Sequence, residues 1–159
     1  MKLTLDSVRN SPQHMTIKGF VFGDLPEKAV IEGSKNDDFF DAIAPLFVVS
    51  MIEGLTESKG PKMFWDATDD TDEKWMVRPL KYNDGIDFVP NEGGERKQAR
   101  IRKQYMDNLD SIAGCIVMDI RDLPSATIGI IDVTELKRRQ LAKITAEEAV
   151  KFGFEKAPS

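Results

Sequence analysis

IAGCIVMDI at residues 112–120 and ATIGIIDV at residues 126–133 form the stretch of sequence that decides the fold. Both runs are almost continuously apolar and rich in isoleucine and valine, which is typical of strands buried on both faces. They are joined across Leu123-Pro124-Ser125, so we predict two neighbouring central strands. We expect Cys115, inside the first strand, to be a small core residue and not a reactive thiolate.

The segment after these strands carries a complete set of helix signals. Thr145 and Glu148 have the spacing of a capping box, in which each side chain accepts a hydrogen bond from the other residue's backbone N–H. Gly153 suits the left-handed conformation that often ends a helix. A short helix between Thr145 and Gly153 is therefore predicted.

The rest of the chain divides into further strands and helices by its apolar periodicity. A helix begins near residues 36–38, and we expect Pro45 to kink or break it near Ala44. Strands are predicted at 2–8, 15–22, 28–32, 74–80 and 86–89, and a second helix at 92–109. The predicted fold class is α+β, a small mixed β-barrel or curled sheet with two to three helices. Residues 1–159 are treated as one domain, with N-terminal strands or an extension at 1–35 and a core at 36–159.

The composition indicates the cellular compartment of the protein and the distribution of its charge. The chain has 41% hydrophobic and 31% charged residues, and one cysteine, which cannot form an internal disulfide. Residues 1–10 do not form an apolar leader, and no apolar run approaches the ~20 residues of a membrane span. We therefore predict a cytoplasmic protein without membrane contact. The net charge of −5 is uneven, because residues 1–94 contribute −7 and residues 95–159 contribute +2.

A basic cluster lies in the second predicted helix. Cations that neutralise phosphates release counterions and gain affinity for nucleic acid, so this cluster is a candidate phosphate-binding patch. The alternative is a solvated helix whose aliphatic stems cover the edge of the core. The cluster consists of Arg96, Lys97, Arg100, Arg102 and Lys103. A shorter basic run, 137–139, would extend the patch if it folds nearby.

A second group of candidate residues lies on the predicted strand 74–80. Lys74 and Arg78 share one face with Met76, because strand side chains repeat every two residues. Trp65, Trp75 and Tyr82 are close in sequence and are candidates for stacking bases beside these cations. Packing in the core or at its rim is the alternative for these aromatic rings.

An acidic run precedes that strand. Carboxylates suit hard cations, but the run lacks the residue order of a calcium-binding loop, so no metal is predicted. A second interpretation is that it mimics nucleic-acid phosphates and occupies the basic groove of a partner protein. A plain solvated loop is the third. The residues are Asp66, Asp69, Asp70, Asp72 and Glu73.

The sequence contains little catalytic machinery. It has no G-x-S-x-G, P-loop or G-x-G-x-x-G pattern, and its one histidine is His14. Catalytic residues are therefore left unassigned and no cofactor is predicted.

Two segments resemble ASCH domains, small β-barrel folds related to the RNA-binding PUA domain. The first is Lys74-Trp-Met-Val-Arg78-Pro79, which is similar to the Lys…Arg-Pro arrangement of that family. The second combines 130–136 with 144–154 and resembles the family's closing strand and capped turn. The G-x-K-x-x-E-x-R signature is reduced to Gly60-Pro61-Lys62. The resemblance implies binding of RNA or modified nucleosides, and for some members hydrolysis of acylated cytidine.

Three functional hypotheses follow. The leading one is a nucleic-acid- or nucleotide-binding module that uses Lys74, Arg78 and the basic helix. The second is an acidic, phage-type accessory protein that binds and inhibits a host protein through the acidic run. The third is an amidohydrolase acting on modified nucleosides through Lys62 and Lys74.

Overall fold

The computed structural model describes residues 3–16, 37–58, 64–81, 85–89, 93–122 and 125–155. No helix in these residues is long and apolar enough to cross a membrane. The elements in chain order are β1 (Leu3–Thr4), α1 (Leu5–Asn10), β2 (Gln13–Thr16), α2 (Asp37–Met51), β3 (Ile52–Glu53), β4 (Thr56–Glu57), β5 (Ala67–Thr68), β6 (Lys74–Leu80), α3 (Glu95–Asp107), a 3₁₀ turn (Leu109–Ser111), β7 (Ile112–Asp122), β8 (Ser125–Asp132), α4 (Val133–Arg138) and α5 (Ala146–Gly153).

A curled, mixed sheet of six strands forms the centre of the fold, in the order β2-β8-β7-β6-β5-β4. Neighbouring strands are antiparallel except β6 and β7, which run parallel. Parallel neighbours need a crossover connection, and here it carries α3. The predicted α+β class and curled sheet are confirmed, as are β7 and β8 as inner strands. Three helices in the described residues, α2, α3 and α5, have eight or more residues.

Helices cover both faces of the sheet, and each face has its own apolar core. On the first face, Trp75 and Val77 of β6 pack beneath α1 and α2. On the second face, Met76 and Leu80 of the same strand pack beneath α3, α4 and α5. This split follows from the alternation of side chains along a strand. It explains why the central strands are apolar at nearly every position.

The N-terminal segment differs from the prediction. Residues 2–8 were expected to form a strand, but only β1 is extended and α1 begins at Leu5. The Thr4 side chain accepts from the Ser7 N–H, and the Ser7 side chain accepts from the Thr4 N–H, which closes a capping box. The apolar residues Leu5 and Val8 then lie on one side of the helix. The predicted strand 28–32 and residues 17–22 lie outside the described residues.

Pro45 does not break α2, which continues through it to Met51. A proline removes only one hydrogen bond of the helical ladder. The flanking residues Ala44 and Val48 are completely buried against the first face, and this packing stabilises the turn around the proline. A break near Ala44 is therefore wrong, whereas the alternative of a kink there stays a prediction.

The segment 86–89 is not a second strand beside β6. Both edges of β6 are already occupied, by β5 and β7. Ile86 instead forms an isolated bridge with Ile144, with N–O distances of 2.9 and 3.1 Å. The segment therefore links the crossover to the chain that precedes α5.

The helix α5 has the predicted capping box of Thr145 and Glu148. Gly153, however, is the last helical residue and is not left-handed, so that part of the prediction is wrong. Its carbonyl oxygen and the Phe154 ring lie directly over Gly129 of β8. A side chain at Gly129 would hold the end of α5 away from the sheet.

We expect Gly129→Ala to lower the free energy of unfolding by about 2 kcal/mol or more, because a Cβ at this position collides with the Gly153 carbonyl and the Phe154 ring. Gly94→Ala is the matched control, since a Cβ there has no neighbour within 4 Å. Gly94→Ala should lower the free energy of unfolding by well under half as much. Urea unfolding followed by circular dichroism measures both values. Equal losses would contradict the close packing of α5 on Gly129.

Candidate nucleic-acid interface

The helix α3 is held to the sheet by a narrow apolar side. Tyr105 is buried and Ile101 is half-buried, and both pack into the core of the second face. The Phe64 ring meets the Tyr105 ring edge-on, with centroids 5.3 Å apart. The remaining positions of α3 are mostly polar, so one side of the helix is fixed and the opposite side faces solvent.

Three cations form a line along that solvent side. Arg96, Arg100 and Lys103 occupy positions i, i+4 and i+7, opposite Tyr105, and all three are exposed. At 1.5 Å per residue they span about 10 Å of the helix. We call these three residues the α3 stripe. Lys103 forms an ion pair of 2.6 Å with Asp107, whereas Arg96 and Arg100 have no ion pair among the described residues.

The other two basic residues of α3 flank the stripe and also have structural roles. A Cβ on Gly93, which has a φ of +78°, would be 2.6 Å from the Lys97 Cδ, so the lysine stem folds back over the start of the helix. Arg102 donates from Nη2 to the Gln140 carbonyl at 2.6 Å. Arg102 therefore fastens α3 to the turn after α4.

This contact places the basic run 137–139 beside α3, as the patch hypothesis required. Each of its cations is nevertheless paired with a carboxylate. Lys137 contacts Asp110 at 2.6 Å, and Arg138 contacts Glu135 at 3.0 Å. Arg139 pairs with Glu148 and lies over the Phe152 ring. The run therefore adds little uncompensated charge to the α3 stripe.

Arg78 lies beneath α3, within the core of the second face. Its Nη1 donates to Asp66 and to the Val77 carbonyl, and its Nη2 donates to the Phe88 carbonyl, each at 2.8 Å. The two charged side chains are only 17% and 29% exposed. Burial opposes the charge of Arg78, but the nearby Asp66 carboxylate, together with the Cys115 and Tyr105 side chains, raises the pKa of the guanidinium overall. The pair is an internal link between strands, and Asp66 also accepts from the Val77 N–H.

Lys74 lies at the start of β6, on the same face as Arg78 but nearer the edge of the core. Its Nζ is 4.0 Å from the centroid of the Trp65 ring. Both residues are partly exposed. Trp75 points to the first face, where it is buried, and Tyr82 lies outside the described residues. The structure therefore brings Lys74 together with Trp65, but not with the Arg78 charge.

The predicted acidic run is split between two places. Asp66 precedes β5, and the other four residues lie in the turn between β5 and β6. Asp69 is 8% exposed and organises that turn. Its Oδ1 accepts from the Thr71 N–H, the Thr71 hydroxyl and the Glu73 N–H, and its Oδ2 accepts from the Trp75 Nε1. Burial alone raises a carboxyl pKa, but these bonds outweigh it and lower the pKa of Asp69.

The other acids of that turn face solvent. Asp70, Asp72 and Glu73 are exposed, and Asp72 has a left-handed φ of 65°. Glu73 is 3.5 Å from the Arg9 guanidinium of α1. These three of the five acidic candidates are exposed to a partner protein.

Other reactive groups are few in the part of the chain that the structure describes. Cys115 is buried, and this burial raises the pKa of its thiol to about 12. His14 Nδ1 is 2.8 Å from the Thr127 hydroxyl oxygen. The described residues contain no cluster of three or more histidine, cysteine or acidic side chains arranged to hold a metal. Lys62 lies outside the described residues.

Sequence reasoning missed the structural roles of Asp66, Asp69 and Arg102. For Asp69 a signal exists, because an aspartate two residues before a threonine, between two strands, is typical of a side chain that closes a turn. No local signal marks the Arg78–Asp66 or Arg102–Gln140 contacts, which depend on tertiary packing. Comparison with protein-family models, curated proteins and solved structures finds no match for the chain.

We expect Arg78→Met to reduce the free energy of unfolding by about 2–3 kcal/mol, because it leaves Asp66 and the Phe88 carbonyl without their charged donor. Arg100→Met, on the solvent side of α3, is the matched control and should change it by less than about 0.5 kcal/mol. A double-mutant cycle with Asp66→Asn should show that the two losses are not additive. Strict additivity would contradict a direct Arg78–Asp66 interaction.

We expect Asp69→Asn to destabilise the protein by about 1–3 kcal/mol at pH 7 and by less at pH 3. The folded state lowers the pKa of Asp69. Its carboxylate therefore stabilises the fold fully above the unfolded pKa of about 3.9, and this contribution is lost as the pH falls through the lower folded pKa. Urea unfolding at both pH values measures the loss of stability that the substitution causes. Asp70→Asn should have little effect at either pH, and an Asp69→Asn effect independent of pH would contradict the assignment.

Proposed function

We propose that this chain is a cytoplasmic RNA-binding module that contacts the phosphate backbone through the α3 stripe. The observation that supports the proposal is the line of Arg96, Arg100 and Lys103 on the side of α3 opposite its packed residue Tyr105. Two of the three cations have no ion pair among the described residues. In a chain of net charge −5, such a line is the arrangement best suited to a polyanion.

The geometry suits phosphates better than base edges. The stripe lies on a convex helix, and its side chains are long cations that can each reach a separate phosphate. Packing of Tyr105 and the Arg102–Gln140 hydrogen bond hold the helix in place before binding. Little conformational order then has to be gained on association, which favours affinity.

The resemblance to ASCH domains favours RNA as the polyanion. The contacts of Arg78, however, change the role that we assign to this residue. Arg78 is held by Asp66 and two carbonyl oxygens, so we assign it to the scaffold and not to ligand contact. Lys74 remains at the accessible edge. The hydrolysis of modified nucleosides stays a hypothesis, which none of the contacts described above favours.

The acidic-partner hypothesis is a second candidate. Asp70, Asp72 and Glu73 stand exposed on one turn, which is the observation that favours it. Capture of a partner from lysate by wild-type protein, but not by an Asp70→Asn, Asp72→Asn double variant, would support this candidate. Asp69 must be left intact in that test, because it holds the turn together. Unchanged capture by the double variant would remove the candidate.

We expect Arg100→Glu to weaken binding of a labelled RNA at low salt by about tenfold or more, because it removes one phosphate contact and adds a repulsive charge. For three phosphate contacts to a single strand, log K should fall with log salt with a slope of about −2, and Arg100→Gln should reduce its magnitude by about 0.7. Fluorescence anisotropy at several salt concentrations gives both values.

Lys151→Glu is the matched control, since it makes the same change in net charge at an exposed position of α5. A substitution of Arg102 would not be a suitable control, because it also removes the hydrogen bond that holds the turn at Gln140. Equal weakening by Arg100→Glu and Lys151→Glu would show that binding reflects net charge alone. That result, or no binding by the wild-type protein, would overturn the proposal.

A further inference from the structure

We infer that a second copy of this chain docks on the α3 stripe through its acidic turn and thereby competes with RNA. The acidic turn consists of Asp70, Asp72 and Glu73, between β5 and β6. The self-association depends only on the charges of the two surfaces. Its role as a regulator of RNA binding rests on the function proposed above and specifies how that site is controlled.

The two surfaces match in the number and the sign of their charges. The α3 stripe carries three exposed cations, and the acidic turn carries three exposed carboxylates. On the stripe, Lys103 pairs with Asp107 at 2.6 Å, and on the turn, Glu73 lies 3.5 Å from the Arg9 guanidinium. The groups that have no ion pair among the described residues are Arg96 and Arg100 on the stripe and Asp70 and Asp72 on the turn. Each surface therefore presents two uncompensated charges of the sign that the other attracts.

The two surfaces lie at the same end of the sheet. The acidic turn leads into β6 at Lys74, and the register of the parallel pair places Lys74 beside Ile112 at the start of β7. Ile112 follows the 3₁₀ turn that comes after α3. The acidic turn and the C-terminal end of α3 are therefore both found at this end, and no ion pair joins the two surfaces among the described residues.

Each surface is held in its own place within the molecule. The acidic turn is fixed by Asp69, whose carboxylate accepts four hydrogen bonds. The helix α3 is fixed by the packing of Tyr105 and by the Arg102–Gln140 hydrogen bond. The unpaired charges of the two surfaces thus remain available to a second copy, and both surfaces are ordered before association, which favours binding.

Two copies can make this contact reciprocally. Because both surfaces lie at one end of the sheet, a rotation about a two-fold axis can bring the acidic turn of each copy to the α3 stripe of the other, which closes a dimer. Exposed ion pairs each stabilise little and are screened by salt, so the dimer is weak. RNA carries a phosphate at each nucleotide, so it offers the stripe a denser line of charge and displaces the acidic turn.

Sedimentation velocity of the full chain, at low salt and high protein concentration, tests the dimer. We expect the wild-type protein to dimerise and the dimer to dissociate as salt is added. Arg100→Glu and Asp70→Lys should each weaken dimerisation about tenfold or more, because each replaces an attraction with a repulsion. An equimolar mixture of the two variants should dimerise again, because each reversed charge then meets an opposite charge on the partner. Restoration in the mixture also shows that both variants are folded.

Lys151→Glu and Asp122→Lys are the matched controls. They make the same changes of charge at exposed positions of α5 and of the far end of β7. Neither should change dimerisation by more than about twofold. A wild-type protein that stays monomeric, a mixture as monomeric as its separate variants, or equal weakening by the controls would overturn the self-association.

Competition with RNA is measured with oligouridine. Added to the wild-type dimer, it should dissociate the dimer, and Asp70→Lys should bind it more tightly than Asp122→Lys does at the same protein concentration. RNA binding by a monomeric wild-type protein would leave the proposed function in place and overturn this inference. A dimer that the mixed variants restore, without any RNA binding, would overturn the proposed function and leave the self-association. A dimer that persists when RNA binds the stripe would overturn the competition.

Discussion

A guanidinium inside a protein has five N–H groups to place, and Arg78 places three hydrogen bonds on groups that the fold must hold together. One goes to Asp66 before β5, one to its own strand, and one to the Phe88 carbonyl in the crossover. Asp66 in turn accepts from the Val77 N–H, which extends the pairing of β5 beyond its two residues. The edge of the sheet, β6 and the crossover are thereby joined at one point beneath α3.

The position of this pair determines what the surface above it can do. Because Arg78 is neutralised internally, the accessible positive charge of this side comes from α3 and Lys74. Asp69 has the corresponding effect at the turn between β5 and β6. Its carboxylate accepts four hydrogen bonds within the protein, whereas its acidic neighbours in the turn are exposed. Two charged residues near the middle of the chain therefore act as structural groups, and they separate a basic helix from an acidic turn.

Much of the fold could be predicted where local and tertiary signals agree. The strands β6, β7 and β8 and the capped start of α5 fall where apolar runs and a capping box placed them. The segment at α1 was misjudged because Leu3 and Leu5 alternate like a strand while Thr4 and Ser7 cap a helix. Pro45 was misjudged because burial of its neighbours outweighs the loss of one hydrogen bond.

The site was harder to predict than the fold. Strand periodicity puts Lys74 and Arg78 on one face with Met76. Both faces of β6 are apolar, however, so the sequence does not say that α3 covers this one. The side chains of the α3 stripe could be placed opposite Tyr105 from helical spacing alone. Whether each of them has an ion pair, as Lys103 does with Asp107, depends on contacts that only the folded chain reveals.

The parallel pairing of β6 and β7 has a consequence for the order in which the fold assembles. The hairpin of β7 and β8 closes a short loop, whereas β6 can join β7 only after the crossover, residues 81–111, has been brought back across the sheet. Contacts between residues distant in sequence form slowly, because the entropy of loop closure is lost before they are made. We therefore expect the hairpin to form early in folding. We expect the surface that carries the α3 stripe to form late, when the crossover docks and the Phe88 carbonyl accepts a hydrogen bond from Arg78.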